Sequence, residues 1–98
     1  MCRNIKRLYN LDPCATRDEV RESALQYVRK ISGMRTPSQA NQEAFDQAVE
    51  AITEIGWRLL DQDLETRAAP RDRALEAEAA RKRGQRREAR MRAELAGD

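Results

Sequence analysis

The chain contains no histidine, two cysteines and only four aromatic residues (two Tyr, one Phe, one Trp). Without an imidazole, a common general base and a common metal ligand are both missing. Cys2 and Cys14 lack the paired spacing of a zinc site, so we expect neither a metal nor a cofactor. Paired acids in an apolar setting and a glycine-rich phosphate loop are also lacking, so we expect that the protein is not an enzyme.

Long apolar runs are missing as well. No stretch approaches the roughly twenty apolar residues that a helix needs to cross a bilayer. Arg3, Lys6 and Arg7 are not followed by the apolar segment of a signal peptide. The sequence therefore predicts a cytoplasmic protein with no membrane partner, whose reducing surroundings keep Cys2 and Cys14 as thiols.

The distribution of large apolar residues divides the chain. Ninety-eight residues are enough for one domain. After residue 70 the large apolar residues are few: Leu75, Met91 and Leu95. We therefore expect a small helical domain over residues 1–69 and a loosely attached, basic, Ala/Arg/Glu-rich helical tail over 70–98.

A first helix is predicted over residues 17–32. Thr16 and Glu19 fit a capping box, in which each side chain satisfies the other residue's backbone amide. Gly33 follows the last turn, where glycine commonly ends a helix. One apolar stripe recurs at helical spacing: Val20, Ala24, Tyr27, Val28 and Ile31.

A second helix is predicted near residues 38–63. It begins either with Pro37 in the first turn or later, at Asn41. Its apolar face is wide: Phe45, Ala48, Val49, Ile52, Ile55, Gly56, Leu59 and Leu60. Because only a short turn separates the two helices, we expect them to pack antiparallel.

The N-terminal arm completes the predicted fold. Ile5, Leu8 and Leu11 are spaced three apart, which suits one helical turn or an irregular arm, and we expect them to close the core. Asp12 is pushed out of helical geometry by Pro13. The predicted fold class is all-α: an antiparallel helical hairpin closed by an N-terminal arm or short helix, plus a charged helical tail.

Several segments together resemble a known family. They read Met-Cys-Arg-Asn-Ile-Lys at 1–6, Ala-Thr at 15–16, Leu-Gln-Tyr-Val-Arg-Lys-Ile-Ser-Gly at 25–33, Pro-Ser-Gln-Ala-Asn at 37–41 and Ala-Phe-Asp-Gln-Ala-Val at 44–49. The chain thus resembles, from residue 1 to about 75, a small bacterial family of unknown function whose members begin Met-Cys-Arg-Asn-Ile-Lys. Pro13-Cys14 replaces the family's usual two prolines, which implies that Cys14 is incidental, and Gly56-Trp57 is atypical. The resemblance supports the domain boundary and implies no activity.

The net charge of +2 conceals an uneven distribution. Residues 1–37 hold eight basic and four acidic residues, 38–69 hold two and seven, and 70–98 hold nine and six. An acidic middle segment flanked by basic ones is consistent with internal charge pairing or with two faces for different partners.

The turn between the two helices is a candidate anion site. Arg29, Lys30 and Arg35 bring cations to the end of the first helix, while Ser38 and Asn41 lie beside the exposed amides that open the second. Helix N-termini and nearby cations both favour phosphate or carboxylate. The alternative is that these residues are ordinary helix caps.

The tail carries the densest cationic cluster. Its members are Arg81, Lys82, Arg83, Arg86, Arg87, Arg90 and Arg92, with Glu88 as the one acid among them. Such clusters bind phosphate backbones and also occur on solvated tails without a partner. The first hypothesis is therefore a non-enzymatic accessory protein that binds a polyanion, most simply nucleic acid, through the turn and the tail.

The second hypothesis is a protein-interaction or assembly module, which includes a homo-oligomer. Glu50, Glu54 and Asp61 fall on the side of the second helix opposite its apolar face. Trp57 lies near these acids, so we expect it to be partly exposed, and Leu64 follows. This face and the basic tail are the candidate partner-binding surfaces.

Overall fold

The computed structural model describes residues 5–96, in which helix is the main structure. The helices are α1 (Arg17–Ser32), α2 (Gln42–Arg58) and α3 (Arg73–Ala96), and two short strands, β1 (Leu11–Asp12) and β2 (Arg71–Asp72), pair in parallel. A 3-10 turn (Gln39–Asn41) precedes α2 and a π turn (Leu59–Asp63) follows it. The prediction of a mostly helical protein is confirmed, whereas the parallel strand pair was not predicted.

Helix α1 has the predicted bounds because local signals fix both of its ends. The Glu19 amide donates to the Thr16 hydroxyl at 3.2 Å, and the Thr16 amide donates to the Glu19 carboxylate at 2.9 Å. This is the reciprocal capping box. Gly33, at φ 71°, donates its amide to the Arg29 carbonyl at 3.0 Å. A residue with a Cβ adopts that left-handed conformation only at a cost.

Helical conformation after the turn covers residues 39–63 in three parts. The 3-10 turn leads into α2 at Gln42, so the later of the two predicted starts is the nearer one. Neither Ser38 nor Asn41 makes a side-chain capping bond to the helix. At the other end, the Leu64 amide donates to the Leu59 carbonyl at 3.0 Å and closes the π turn.

The core lies between α1 and α2. Ala24 and Val28 of α1 pack with Phe45 and Val49 of α2. Thr53 is fully buried as well, and its hydroxyl donates to the Val49 carbonyl at 2.6 Å. A helical hydroxyl bonded in this way adds no unsatisfied polar atom to the core.

Part of the predicted apolar face is not buried. Tyr27 is 46% exposed and Ile31 is 65% exposed, and Ile5 of the arm is 41% exposed. The expectation that the arm closes the core was therefore too strong. The arm is irregular up to β1, and Ile5 and Leu8 instead line an open apolar groove of about 330 Å³ against α1 and α2.

The arm is attached to the start of the tail. Asn10 has a φ of 57°, a left-handed conformation that asparagine tolerates better than most residues. Its side-chain amide donates to the carbonyls of Ala68 and Ala69 at 3.3 and 3.2 Å, and its own carbonyl accepts from the Arg71 amide at 2.9 Å. The short parallel pairing of β1 with β2 continues this contact.

Helix α3 leaves the body of the protein after its first turn. Its 24 residues form a rod about 36 Å long, and none of them is buried. The radius of gyration is 18.1 Å, against about 13 Å for a compact chain of this length. The helix is thus surrounded by solvent. Between residues 5 and 96, none of the helices combines the length and the apolar character needed to cross a bilayer.

Candidate nucleic-acid interface

Four arginines form one continuous face of α3. Arg83, Arg86, Arg87 and Arg90 follow the spacing i, i+3, i+4, i+7, which places them on the same side of a helix. They line a shared surface depression, and none of them is ion-paired with a carboxylate of the described residues. We call these four residues the arginine face.

The other cations of α3 lie on a different side and have acidic partners. Glu78 is 3.8 Å from an Arg81 nitrogen and 3.7 Å from the Lys82 ammonium. Glu88 lies 3.9 Å from Arg92. The structure therefore separates the seven predicted cations of the tail into a paired side and the unpaired arginine face.

The nearest acids on the same side of the helix lie beyond the two ends of the arginine face. Glu76 comes seven residues before Arg83 and is 3.6 Å from the Arg71 guanidinium. Glu94 comes four residues after Arg90. The uninterrupted cationic surface thus extends about 10 Å along the helix axis, from Arg83 to Arg90.

The root of α3 is fixed to the first turn of α1 by one guanidinium. Arg73 donates to both Glu19 carboxylate oxygens, at 2.7 and 3.0 Å, and to the Pro13 carbonyl at 2.7 Å. The Arg73 hydrogen bond, helped by the Thr16 amide, lowers the pKa of Glu19 from its ordinary value of 4.5 to about 2. The same bond raises the pKa of Arg73. Both groups are charged at every physiological pH.

A further hydrogen bond orders the first turn of α3. The Asp72 carboxylate accepts from the Leu75 amide at 3.1 Å and satisfies a donor that the helix itself leaves free. Together with Arg73 and the strand pair, this contact sets the direction in which α3 departs from α1 and α2.

The predicted anion site at the turn is partly used for structure. Half-buried Arg29 donates its Nε to the Arg35 carbonyl at 3.0 Å and so closes the turn. The Asn41 side chain donates to the Ser38 hydroxyl at 2.9 Å. Lys30 and the Arg35 side chain remain exposed. Of the three turn cations, these two are available to a ligand and Arg29 is committed to the backbone.

The turn and the root of α3 lie at different ends of α1. Arg73 contacts Glu19 in the first turn of that helix, whereas Arg29 lies in its last turn. Ten residues of helix separate these positions by about 15 Å.

The acidic face predicted to bind a partner is also partly occupied. Glu54 accepts from Arg17 at 3.0 Å, and Glu50 accepts from Arg21 at 2.9 Å, so both carboxylates link α2 to α1. The second bond raises the pKa of Arg21. A partner that bound Glu50 or Glu54 would have to compete with these interhelical pairs.

The other residues of that candidate surface differ in exposure. Asp61 is exposed, Leu64 is 42% exposed and Trp57 is half-buried.

Because the chain has no histidine, its cysteines and acids are the side chains best suited to bind a metal ion. Cys2 lies outside the described residues, and Cys14 is an exposed free thiol. Within residues 5–96, no group of three or more His, Cys, Asp or Glu side chains is placed to hold a metal ion.

Sequence reasoning did not identify Arg73 and Asn10 as the residues that orient the tail. The charges of Arg73 and Glu19 were visible, but 54 residues separate them and no periodicity relates them. An asparagine beside the Leu11-Asp12-Pro13 segment was the available signal for a left-handed residue at Asn10.

Comparison with known proteins adds a family and no activity. Residues 1–81 match the model of a family described as uncharacterized conserved protein (DUF2277). No curated protein and no solved structure matches the chain. The match includes α1, α2 and the first turns of α3, and it ends before the arginine face.

Proposed function

The chain belongs to the uncharacterized conserved protein family DUF2277, and because that description names no activity, we propose a function from the arrangement of its charges. The protein is a non-enzymatic accessory protein that binds the phosphates of nucleic acid through the arginine face of α3. The observation that carries the proposal is the absence of any carboxylate partner for those four guanidiniums within residues 5–96.

Unpaired arginines at this spacing are suited to phosphate. Each guanidinium offers several donors in a planar fork that matches two phosphate oxygens. Four like charges on about two turns of helix also repel one another, so a polyanion that neutralises them stabilises the helix as well as the complex. The gain in affinity comes chiefly from released counterions, since the nucleic acid gives up condensed cations as the arginines replace them.

The hairpin serves this proposal as a support. Arg17 pairs with Glu54 and Arg21 with Glu50, so residues later in α1 meet residues earlier in α2. This descending order supports an antiparallel hairpin. The Arg73 contacts then connect the support to α3.

The turn contributes a second, weaker contact in this proposal. Lys30 and the Arg35 side chain are exposed and cationic, so they can meet phosphates of a long polyanion, while Arg29 keeps its structural bond. We place the protein in the cytoplasm, where nucleic acid is accessible to it.

The test compares two variants of equal charge. Replacing Arg83, Arg86 and Arg90 with glutamine gives a face variant, and replacing Arg81, Lys82 and Arg92 with glutamine gives a control variant. Glutamine has nearly the helix propensity of arginine and lysine, so α3 is retained, which circular dichroism checks. Fluorescence anisotropy at low salt then measures binding to short labelled DNA and RNA, single-stranded and duplex.

We expect the face variant to bind at least about tenfold more weakly than the control, because each lost charge-assisted contact is worth about 1.5–3 kcal/mol. Both variants lose three positive charges, and the control also leaves Glu78 and Glu88 unpaired. Overall charge therefore does not explain a larger loss of affinity in the face variant. Equal losses in the two variants, or no binding by the wild type at tens of micromolar, roughly the non-specific range, would reject the proposal.

A second candidate function is a protein-interaction or assembly module, and one observation favours it. Leu64 is 42% exposed next to exposed Asp61 and half-buried Trp57, which gives a small mixed surface beyond the interhelical ion pairs. Aromatic and apolar residues of this kind are enriched at protein interfaces. Light scattering on the wild type and on Leu64→Ser tests this candidate: self-association that Leu64→Ser removes supports it, and a monomer at all concentrations rejects a homo-oligomer.

A further inference from the structure

We propose that the polyanion is double-stranded DNA and that α3 lies in its major groove with the arginine face turned inward. This inference rests on the proposed function and adds which nucleic acid is bound and how. It depends on three features of α3: its separation from the rest of the protein, the distribution of charge around it and its lack of aromatic residues.

The first observation is that α3 is free on every side. None of its residues is buried, and beyond the first turn it makes no hydrogen bond or salt bridge with the hairpin in the described part of the chain. A helix with its side chains is about 10–12 Å wide, and the major groove of B-form DNA is about 12 Å wide. A rod about 36 Å long that is attached only at its root can therefore enter that groove without a clash from the body.

The second observation is the asymmetry of charge around the helix. The acids Glu78 and Glu88 lie away from the arginine face, and each has a cationic partner there. A helix inserted by its arginine face thus directs unpaired cations towards the groove and keeps Glu78 and Glu88 on the solvent side, while Glu76 and Glu94 lie beyond the two ends of that face. With its side chains the helix is nearly as wide as the groove, so arginines at the two edges of the arginine face can reach phosphates on the two walls of the groove.

The third observation concerns the competing nucleic acids. Residues 70–98 contain no Phe, Tyr, Trp or His, whereas proteins that bind single strands rely on aromatic side chains that stack with bases. Duplex RNA presents a deep and narrow major groove that side chains do not enter. An inserted helix therefore prefers duplex DNA over both.

A membrane surface fits α3 less well. A helix that lies on a bilayer needs an apolar face opposite its cations. Leu75 is sixteen residues before Met91, a spacing that puts the two on different sides of the helix, and Leu95 is 82% exposed at its end. No apolar stripe accompanies the arginine face.

The experiment measures the affinity of the full chain for duplex DNA, duplex RNA and single-stranded DNA of equal length and matched sequence at one salt concentration. A fourth probe is the same DNA duplex with bulky substituents at the 5-position of its pyrimidines, which project into the major groove. We expect duplex DNA to be bound at least about fivefold more tightly than each of the others, a difference of about 1 kcal/mol.

The face variant provides the internal control, since it should bind all four probes weakly and almost equally. Duplex RNA or single-stranded DNA bound as tightly as duplex DNA would overturn the inference while leaving nucleic-acid binding in place. Unchanged affinity for the substituted duplex would overturn insertion into the major groove. Failure to bind any probe would instead reject the proposed function itself.

Discussion

Arg73 and Glu19 join the first turn of α3 to the first turn of α1 through two hydrogen bonds of 2.7 and 3.0 Å. The same guanidinium donates to the Pro13 carbonyl at 2.7 Å. Arg73 thereby contacts the arm and α1 while it belongs to α3, so the direction of the arginine face depends on this residue. The consequences for stability and binding can be measured separately.

The first prediction concerns acid stability. The pKa of Glu19 is lowered from 4.5 to about 2, first by the Arg73 hydrogen bond. A carboxylate whose pKa is depressed in the folded state stabilises the fold above its unfolded pKa and loses that effect as the pH falls. The stabilisation is therefore complete above about pH 5 and declines between about pH 4.5 and 2. Glu19→Gln should remove this part of the acid dependence.

The size of the effect is modest. The full pKa shift corresponds to about 3 kcal/mol. Because the Glu19 and Arg73 side chains are still 35% and 30% exposed, we expect about 1 kcal/mol after solvent screening. Glutamine at this position also preserves the capping box. Urea unfolding at pH 7 and pH 3 measures this contribution to the free energy of unfolding. The wild type should lose more stability on acidification than Glu19→Gln. Equal losses would contradict a stabilising role for the Glu19 carboxylate.

The second prediction compares two helical glycines. A Cβ at Gly84 of α3 meets no atom within 4 Å, whereas a Cβ at Gly56 of α2 would lie 3.1 Å from Val20 Cγ1. Gly84→Ala should stabilise α3 by about 1 kcal/mol, because alanine restricts the unfolded chain and favours helix. Gly56→Ala should gain less, since α1 has to move to admit the methyl group.

Amide hydrogen exchange reports on α3, and urea unfolding reports on the packing of α1 against α2. Gly84→Ala should also bind duplex DNA more tightly, because a helix that is already formed loses less conformational entropy on binding. A Gly56→Ala variant that is stabilised as much as Gly84→Ala would show that α1 and α2 pack more loosely than the Val20 contact implies.

The third prediction concerns Cys14, an exposed free thiol outside the helices. Cys14→Ser should leave the unfolding free energy within about 0.5 kcal/mol of the wild type, as expected for a surface substitution. In the native wild-type protein this thiol should react readily with a small alkylating reagent. The thiol is not dispensable if Cys14→Ser fails to fold. The same holds if the purified wild type contains stoichiometric metal that the variant lacks.

The parts of the fold that depend on local sequence were predictable. Thr16 and Glu19 lie three residues apart and fix the start of α1, and Gly33 fixes its end, so these positions follow from neighbouring backbone geometry. The pairing of β1 with β2 was not predictable, because it joins two-residue segments some sixty residues apart that carry no alternating pattern. Tyr27 and Ile31 belong to the predicted apolar stripe and are exposed, because periodicity shows which side of a helix is apolar and not how much of that side is covered.

The candidate site divides in the same way. That residues 81–92 form a cationic cluster was evident from composition. That four of its arginines share one side of α3 was not predicted, although their spacing is helical. Which cations are neutralised depends on side-chain conformation: Arg81 and Lys82 reach Glu78, and Arg29 turns to the Arg35 carbonyl. From the sequence alone, Arg29, Arg81 and Lys82 could not be distinguished from the arginines of the arginine face.

The central claim, that the arginine face neutralises phosphates of duplex DNA, is tested most directly by the salt dependence of binding. For B-form DNA the logarithm of the binding constant falls with the logarithm of salt concentration with a slope of about −0.9 for each phosphate contacted. Four arginines therefore predict a slope of about −3 to −4 for the wild type, and the three replacements of the face variant should reduce it to about −1. The control variant should keep the wild-type slope. A face variant whose slope equals that of the wild type would contradict the account, because the phosphates would then be contacted elsewhere on the chain.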